Sequence, residues 1–319
     1  MAVQHISGQD VNPLVGRARA VTLLLWLVLI TAIVSIVQVI LLPLVRLADP
    51  KLNVYHRMNA FIIYWSCLPF FNVTVKGVEH FPKDRNVVLV CNHQSALDAF
   101  VFAALAVHHD FKCTFKEEIL WYPGVGWMLW LSGHIPVRRG NKKSGKKVIA
   151  TAAEYVKGGV PVLFFPEATR RVDVSTGPLT NFKPGAFKTA IDSDADILPI
   201  TMSGARSLLP PFGFPSLGYG DVEITVHAPL STRGMRSRDD EGNFTDSVDR
   251  LLQESWNVIV GGLRPVDHVV VGSASSRAKA SPGVQKPTPL AERATPSPAE
   301  AASPKSGGAR QRTARRKED

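Results

Sequence analysis

Residues 21–45 carry no charged side chain, and this apolar run constrains the chain more than any other feature of it. As a helix rising about 1.5 Å per residue, it is long enough to span the roughly 30 Å hydrocarbon core of a bilayer. It is too long for the apolar core of a secretory signal, and no small-residue cleavage site follows it. The expectation is an N-terminal membrane-anchoring helical region over residues 1–71. A second apolar segment, 58–71, is too short to span and suits an interfacial or re-entrant helix, or a helix buried in a globular domain. Basic residues flank the long run on both sides, Arg17 and Arg19 before it and Arg46, Lys51 and Arg57 after it. Lys and Arg favour the cytoplasmic side. Balanced flanks therefore fit either a hairpin with both ends cytoplasmic or a span with a translocated N-terminus.

Beyond residue 71 the pattern changes to short apolar runs separated by helical periodicity. Strands are predicted at 73–76, 87–91, 134–137, 160–165, 196–202 and 222–227. Helices are predicted at 96–106, 146–156, 184–191 and 245–260, the last with Thr245 as its N-cap. Such alternation predicts an α/β domain over 72–264, with a central, largely parallel or mixed sheet flanked by helices. From Ser273 onward the chain has ten Lys or Arg against four Asp or Glu, and no aromatic residue. That composition cannot bury enough apolar surface to fold, so 265–319 reads as a disordered, basic, Ala/Pro/Ser-rich tail. The tail carries most of the net charge of +10. Its last basic run, 310–317, is either a solvated end or a contact for anionic lipid. No aromatic interleaves it, which argues against nucleic acid as a partner. Cys67, Cys91 and Cys113 have no metal-site spacing and read as reduced, buried thiols.

The candidate chemistry begins where Val87-Val88-Leu89-Val90-Cys91 ends abruptly in Asn92-His93-Gln94-Ser95-Ala96-Leu97-Asp98. His93 falls at the carboxyl end of a strand, where open α/β folds keep their ligand crevices. Asp98 lies in the first turn of the following helix, close enough to fold back on the imidazole. A carboxylate there fixes the tautomer and leaves the other ring nitrogen to take a proton. No Ser or Cys follows a nucleophile-elbow pattern, so this base would act on a hydroxyl of the substrate itself. Ser95 and Asp98 also form an S-x-x-D capping box, a role compatible with the first.

With its H-x-x-x-x-D spacing, Asn92–Asp98 resembles the first signature block of the glycerolipid acyltransferases of the 1-acyl-sn-glycerol-3-phosphate type. Three further blocks occur in the family's order: Gly133-His134-Ile135-Pro136-Val137-Arg138-Arg139, Phe165-Pro166-Glu167-Ala168-Thr169-Arg170 and Ile197-Leu198-Pro199-Ile200. The resemblance implies acyl transfer to the sn-2 hydroxyl of lysophosphatidic acid, giving phosphatidic acid, with His93 as general base assisted by Asp98. It implies that Arg139 and Arg170 grip the substrate phosphate, for which guanidinium groups are suited, and that Glu167 bonds or orients the glycerol part. Lys183, in a loop entering a predicted helix, is a secondary binding candidate. Three positions depart from the family. Glycine is usual where this chain has Ala168, and if that position needs φ > 0, alanine must strain or alter the loop. Arg138 and Arg171 stand where acidic or polar residues and serine are common. These changes leave other acceptors open, such as another lysophospholipid or a lyso-aminolipid; a catalytically silent lipid-binding scaffold is the alternative from a different class.

A second phosphate motif has to be weighed. Residues 140–147 nearly read G-x-x-x-x-G-K-[ST], but Lys147 ends the run and cannot supply the hydroxyl that holds Mg²⁺. A basic turn is the better reading, in which Lys142, Lys143, Lys146 and Lys147 attract acidic head groups or a donor's phosphates, or simply start a solvated helix. Trp121, Trp127 and Trp130 fit an acyl tunnel, a membrane interface or ordinary packing. The expected donor is acyl-CoA or acyl carrier protein, a co-substrate, with no metal or tightly bound cofactor. Expected partners are membrane lipids, lysophosphatidic acid and the acyl thioester donor. The expected location is membrane-attached (a cell inner membrane if the chain is bacterial), with the catalytic domain facing the cytoplasm.

Overall fold

The computed structural model describes residues 12–83, 85–170, 178–210, 216–237 and 245–268. Two helices come first, α1 (Pro13–Ala48) and α2 (Asn53–Cys67), followed by strands β1 (Asn72–Lys76) and β2 (Val87–Cys91). In place of one helix over 96–106 there are two short ones, α3 (Asp98–Val101) and α4 (Ala103–Ala106). Next are β3 (Lys112–Lys116), α5 (Val125–Leu131), β4 (Ile135–Val137) and α6 (Lys142–Lys157). The chain continues through β5 (Val162–Phe164), α7 (Gly185–Asp192), β6 (Asp196–Ser203) and α8 (Ala205–Leu208). It then forms β7 (Asp221–Val226), α9 (Asp246–Gly261) and α10 (Pro265–His268). The predicted tail from residue 269 onward, and Arg171, lie outside the described residues.

The seven strands form one mixed sheet in the order β1-β7-β6-β2-β5-β3-β4. Only the β6–β7 pairing is antiparallel, so β2 to β6 run one way while β1 and β7 run the other. Every residue of β2, β5 and β6 is buried, as strands covered on both faces must be. On one face Leu89, Leu198 and Ile224 pack with Leu27, Ile63 and Leu105 from α1, α2 and α4. On the other, Val88, Val162 and Ile197 pack with Ala152, Phe187 and Leu251 from α6, α7 and α9. After β5 the chain crosses β2 to reach β6. This change of direction marks the crevice at the strands' carboxyl ends as the place for a ligand.

Thr245 is the N-cap residue of α9, as expected, and its hydroxyl donates to the Arg236 carbonyl. Helix α6 starts earlier than expected: residues 142–147 are its first turns, capped by Asn141 Oδ1, which accepts from Ser144 N at 3.1 Å.

Helix α1 buries a polar stripe beside Leu23, Leu27 and Val34 and leaves most of its apolar surface exposed. Its polar residues Thr31, Ser35 and Gln38 are buried against the protein, while Leu25, Leu29, Ile33, Ile36, Ile40 and Leu44 are exposed. Contacts run along its whole length. Leu217 N donates to Gly16 O at 2.9 Å, Arg19 donates to Phe70 O at 2.6 Å, and Gln38 donates to Asn59 at 2.8 Å. Where α1 passes the loop before α5, the approach is so close that a Cβ on Gly124 would lie 2.6 Å from Ala32 N. Helix α2 divides similarly, with Ala60 and Ile63 in the core and Phe61 and Trp65 exposed. It is both a core helix and one that presents an apolar outer face. α1 is long and apolar enough to cross a membrane, an 18-residue stretch of it having a mean hydropathy of 2.8. Exposed apolar surface of this extent marks a membrane or partner contact.

Candidate active site

The loop leaving β2 is fixed before it delivers any chemistry. Asn92, fully buried, donates to Met202 O at 2.9 Å and accepts from Met202 N at 2.8 Å. Its amide thus extends the pairing of β2 with β6 by one step. Gln94 donates to Asp267 at 2.9 Å, and the Ser95 hydroxyl donates to Leu209 O at 2.7 Å. Asp98 closes the loop from within: its carboxylate accepts from Gln94 N at 2.7 Å and Ser95 N at 3.0 Å. The Ser95 hydroxyl meanwhile accepts from Leu97 N at 3.2 Å. Spending these groups on a tight turn is why helix begins at Asp98 and not at Ala96.

His93 Nδ1 lies 2.6 Å from Asp98 Oδ2. Asp98 is wholly buried and accepts two further hydrogen bonds, from backbone N–H groups. A carboxylate can only accept, so the proton of a neutral imidazole sits on Nδ1 and Nε2 keeps a lone pair. Nε2 has no hydrogen-bond partner among the described residues and is not sealed off from solvent. The ring stacks on Phe165, with centroids 4.4 Å apart. Phe165 follows β5, so the neighbouring strand sets the plane of the imidazole.

Glu167 joins the two loops. One carboxylate oxygen accepts from His93 N at 2.7 Å; the other accepts from Thr180 N and Thr180 Oγ1, each at 3.1 Å. The side chain is buried, and burial pushes its pKa above the ordinary carboxylate value despite these bonds. Expected to touch the glycerol part of a substrate, Glu167 here has both oxygens on protein donors, and the contacts it makes are those of a clamp. Ala168 adopts φ 53°, so the left-handed turn that glycine would make freely is kept by alanine under strain.

The other expected residues surround this centre less tightly. Lys183 N donates to Pro166 O at 2.8 Å, which sets Lys183 beside the third block with its side chain exposed. Arg170 is exposed on the same loop as Glu167, and Arg139 is exposed just past β4, two strands from β5. His93, Asp98 and Glu167 are thus joined directly, whereas Arg139, Arg170 and Lys183 are exposed on separate loops. Sequence reasoning missed Phe165 and Thr180 as supports, and Asp267, which it left in the tail.

Comparison with known proteins gives the family of this chain. Residues 72–203 match the family model described as Acyltransferase. The chain is 30% identical over 278 residues to a 1-acyl-sn-glycerol-3-phosphate acyltransferase of Chlamydomonas reinhardtii, covering 85% of this chain and 76% of that protein. A chloroplastic enzyme of the same name from Arabidopsis thaliana is 33% identical over 192 residues, 59% of this chain and 52% of that one. This chain thus spans only about half the length of the plant relative. Among solved structures, the 1-acyl-sn-glycerophosphate acyltransferase of Thermotoga maritima matches with 25% identity and a TM-score of 0.48, over 67% of this chain and 77% of that one.

Proposed function

Because this chain belongs to the 1-acyl-sn-glycerol-3-phosphate acyltransferase family, we propose that it transfers an acyl group from a thioester to the sn-2 hydroxyl of lysophosphatidic acid. The observation that carries this is the His93–Asp98 pair with its second ring nitrogen open. His93 Nε2 takes the hydroxyl proton as the oxygen attacks the thioester carbonyl, and the buried Asp98 carboxylate stabilises the imidazolium that forms. The tetrahedral intermediate collapses to phosphatidic acid. The thiolate leaves and recovers the proton from His93, so no acyl-enzyme is formed. Arg139, Arg170 and Lys183 supply positive charge for the substrate phosphate, while Glu167 positions the His93 loop.

The outward apolar face of α1 supports seating on a membrane. Since α1 is bonded to the α/β domain from Gly16 to Ser35, it lies along that domain. We infer that the domain rests on one leaflet with α1 and α2 dipping into it, its active site on the cytoplasmic side where acyl thioesters are made. Protease digestion of oriented vesicles tests this; cleavage of the catalytic domain only from the opposite face would contradict it.

The decisive assay compares native protein with His93→Ala, using a long-chain acyl thioester and lysophosphatidic acid. Native protein is expected to form phosphatidic acid, and the variant to lose about 10²–10⁴-fold in kcat while still binding lysophosphatidic acid. Equal rates would sink the mechanism. Turnover of other lysophospholipids but not of lysophosphatidic acid would reassign the acceptor.

A further inference from the structure

Outside the centre just described, a cleft of about 670 Å³ runs along the free edge of β4, between the end of α1, helix α5 and helix α6. Arg46, Arg138, Lys143 and Lys147 line it, with Trp130 and Tyr155 among its walls. The one carboxylate in its lining, Glu117, accepts from Arg138 Nε at 2.6 Å and leaves the terminal guanidinium nitrogens available. His134 lines it too, with Nδ1 accepting from Cys113 N at 3.0 Å. Burial holds this imidazole well below its ordinary pKa, so the neutral ring carries its proton on Nε2, an N–H with no partner among the described residues.

The position of the cleft relates it to the active site. Val137 is level with Lys116, Cys113 with Leu163, and Leu163 with Leu89. Carried past the strand ends, by one residue at β4 and β3, three at β5 and two at β2, this register sets Arg138 level with His93, three strand spacings or about 14 Å away along the carboxyl-terminal edge. An extended pantetheine arm covers that distance.

We propose that this cleft binds the phosphorylated adenosine diphosphate end of coenzyme A, so that an acyl-CoA donor lies along the sheet edge with its thioester at His93. The proposal rests on the acyl-transfer reading above and adds the identity and seat of the donor. Four cations against one carboxylate suit a nucleotide with several phosphates better than a lipid headgroup with one. Trp130 and Tyr155 offer faces for the adenine, as aromatic side chains do for bases. A carrier protein would instead engage an exposed surface, with a single phosphodiester in its arm.

The test is calorimetric titration of the purified full-length protein with free coenzyme A and with pantetheine, which lacks the nucleotide. Coenzyme A is expected to bind at least about ten-fold more tightly, the effect of one or more charge-assisted hydrogen bonds. K143Q/K147Q is expected to abolish that preference. Both lysines are exposed, so the variant should keep its thermal midpoint. Equal affinity for the two ligands, or an undiminished preference in the variant, overturns the proposal. So does a variant that binds coenzyme A normally but loses binding to phosphatidylglycerol vesicles, which would assign the cleft to a lipid headgroup. Binding is read without turnover. Failure to acylate lysophosphatidic acid would therefore count against the preceding reading alone, and failure to prefer coenzyme A against this one alone.

Discussion

Replacing Glu167 by Gln separates a clamp from a substrate contact. The amide keeps one oxygen for His93 N but turns an NH₂ toward Thr180 N, where the carboxylate accepts at 3.1 Å. The Thr180 hydroxyl can rotate to accept; its backbone N–H cannot. One buried donor is left unpaired, at a cost of about 1–3 kcal/mol. Part of this is offset because burial already disfavours the Glu167 charge, so a net loss of about 1–2 kcal/mol is expected, with a Tm lower by roughly 2–8 °C. The larger effect is on rate. Loosening the backbone of His93 by about 1 Å is expected to lower kcat by about 10²-fold, with KM for lysophosphatidic acid unchanged. Stability should also change its pH dependence. The folded pKa is raised above 4.5, so between 4.5 and that value the folded chain holds more protons than the unfolded chain. Stability therefore falls as pH rises through this window, and Glu167→Gln removes that slope. Steady-state kinetics with varied acceptor, together with thermal melts across pH, provide the readout. A raised KM with kcat preserved would refute the clamp and return Glu167 to the substrate.

The parts of this site that were legible in the sequence are the local ones. His93 and Asp98 belong to one loop, so their spacing alone brings them together, and β2, β5 and β6 stand out as apolar runs because both their faces are covered. Glu167 reaches His93 across 74 positions only because β5 is inserted beside β2, and no periodicity encodes strand order. Strand β3 went unrecognised because its sequence, KCTFK, begins and ends in lysine; that Lys112 is completely buried reverses what its charge implies. For α1 the length was legible and the packing was overlooked. Thr31, Ser35 and Gln38 recur at helical spacing within an otherwise apolar run, the mark of a helix whose polar stripe faces protein. The basic turn at the start of α6 was visible too, but Arg46, which joins it in the cleft, is delivered by the end of a distant helix.

Three further perturbations follow from particular strains and faces. Burial lowers the Lys112 pKa to about 8 from 10.5, so the folded chain holds fewer protons than the unfolded chain between those values and stability rises with pH across them. Lys112→Met is expected to abolish that rise and to stabilise the protein at pH 7 by about 3 kcal/mol; a melt showing the variant less stable at pH 7 would contradict the burial cost. Ala168→Gly relieves about 1–2 kcal/mol of left-handed strain and restores about 0.4–1 kcal/mol of unfolded-state entropy. The expected net gain is about 0.5–1 kcal/mol, and a lower Tm would show the turn to be unstrained. The two faces of α1 are expected to respond oppositely. Leu27→Ala, facing the core, should cost about 2–5 kcal/mol while leaving vesicle binding intact. Ile33, Ile36 and Ile40 face outward and touch no core, so changing all three to Lys should release the protein from vesicles in flotation without lowering Tm. A triple variant that still floats would mean that lipid does not cover this face.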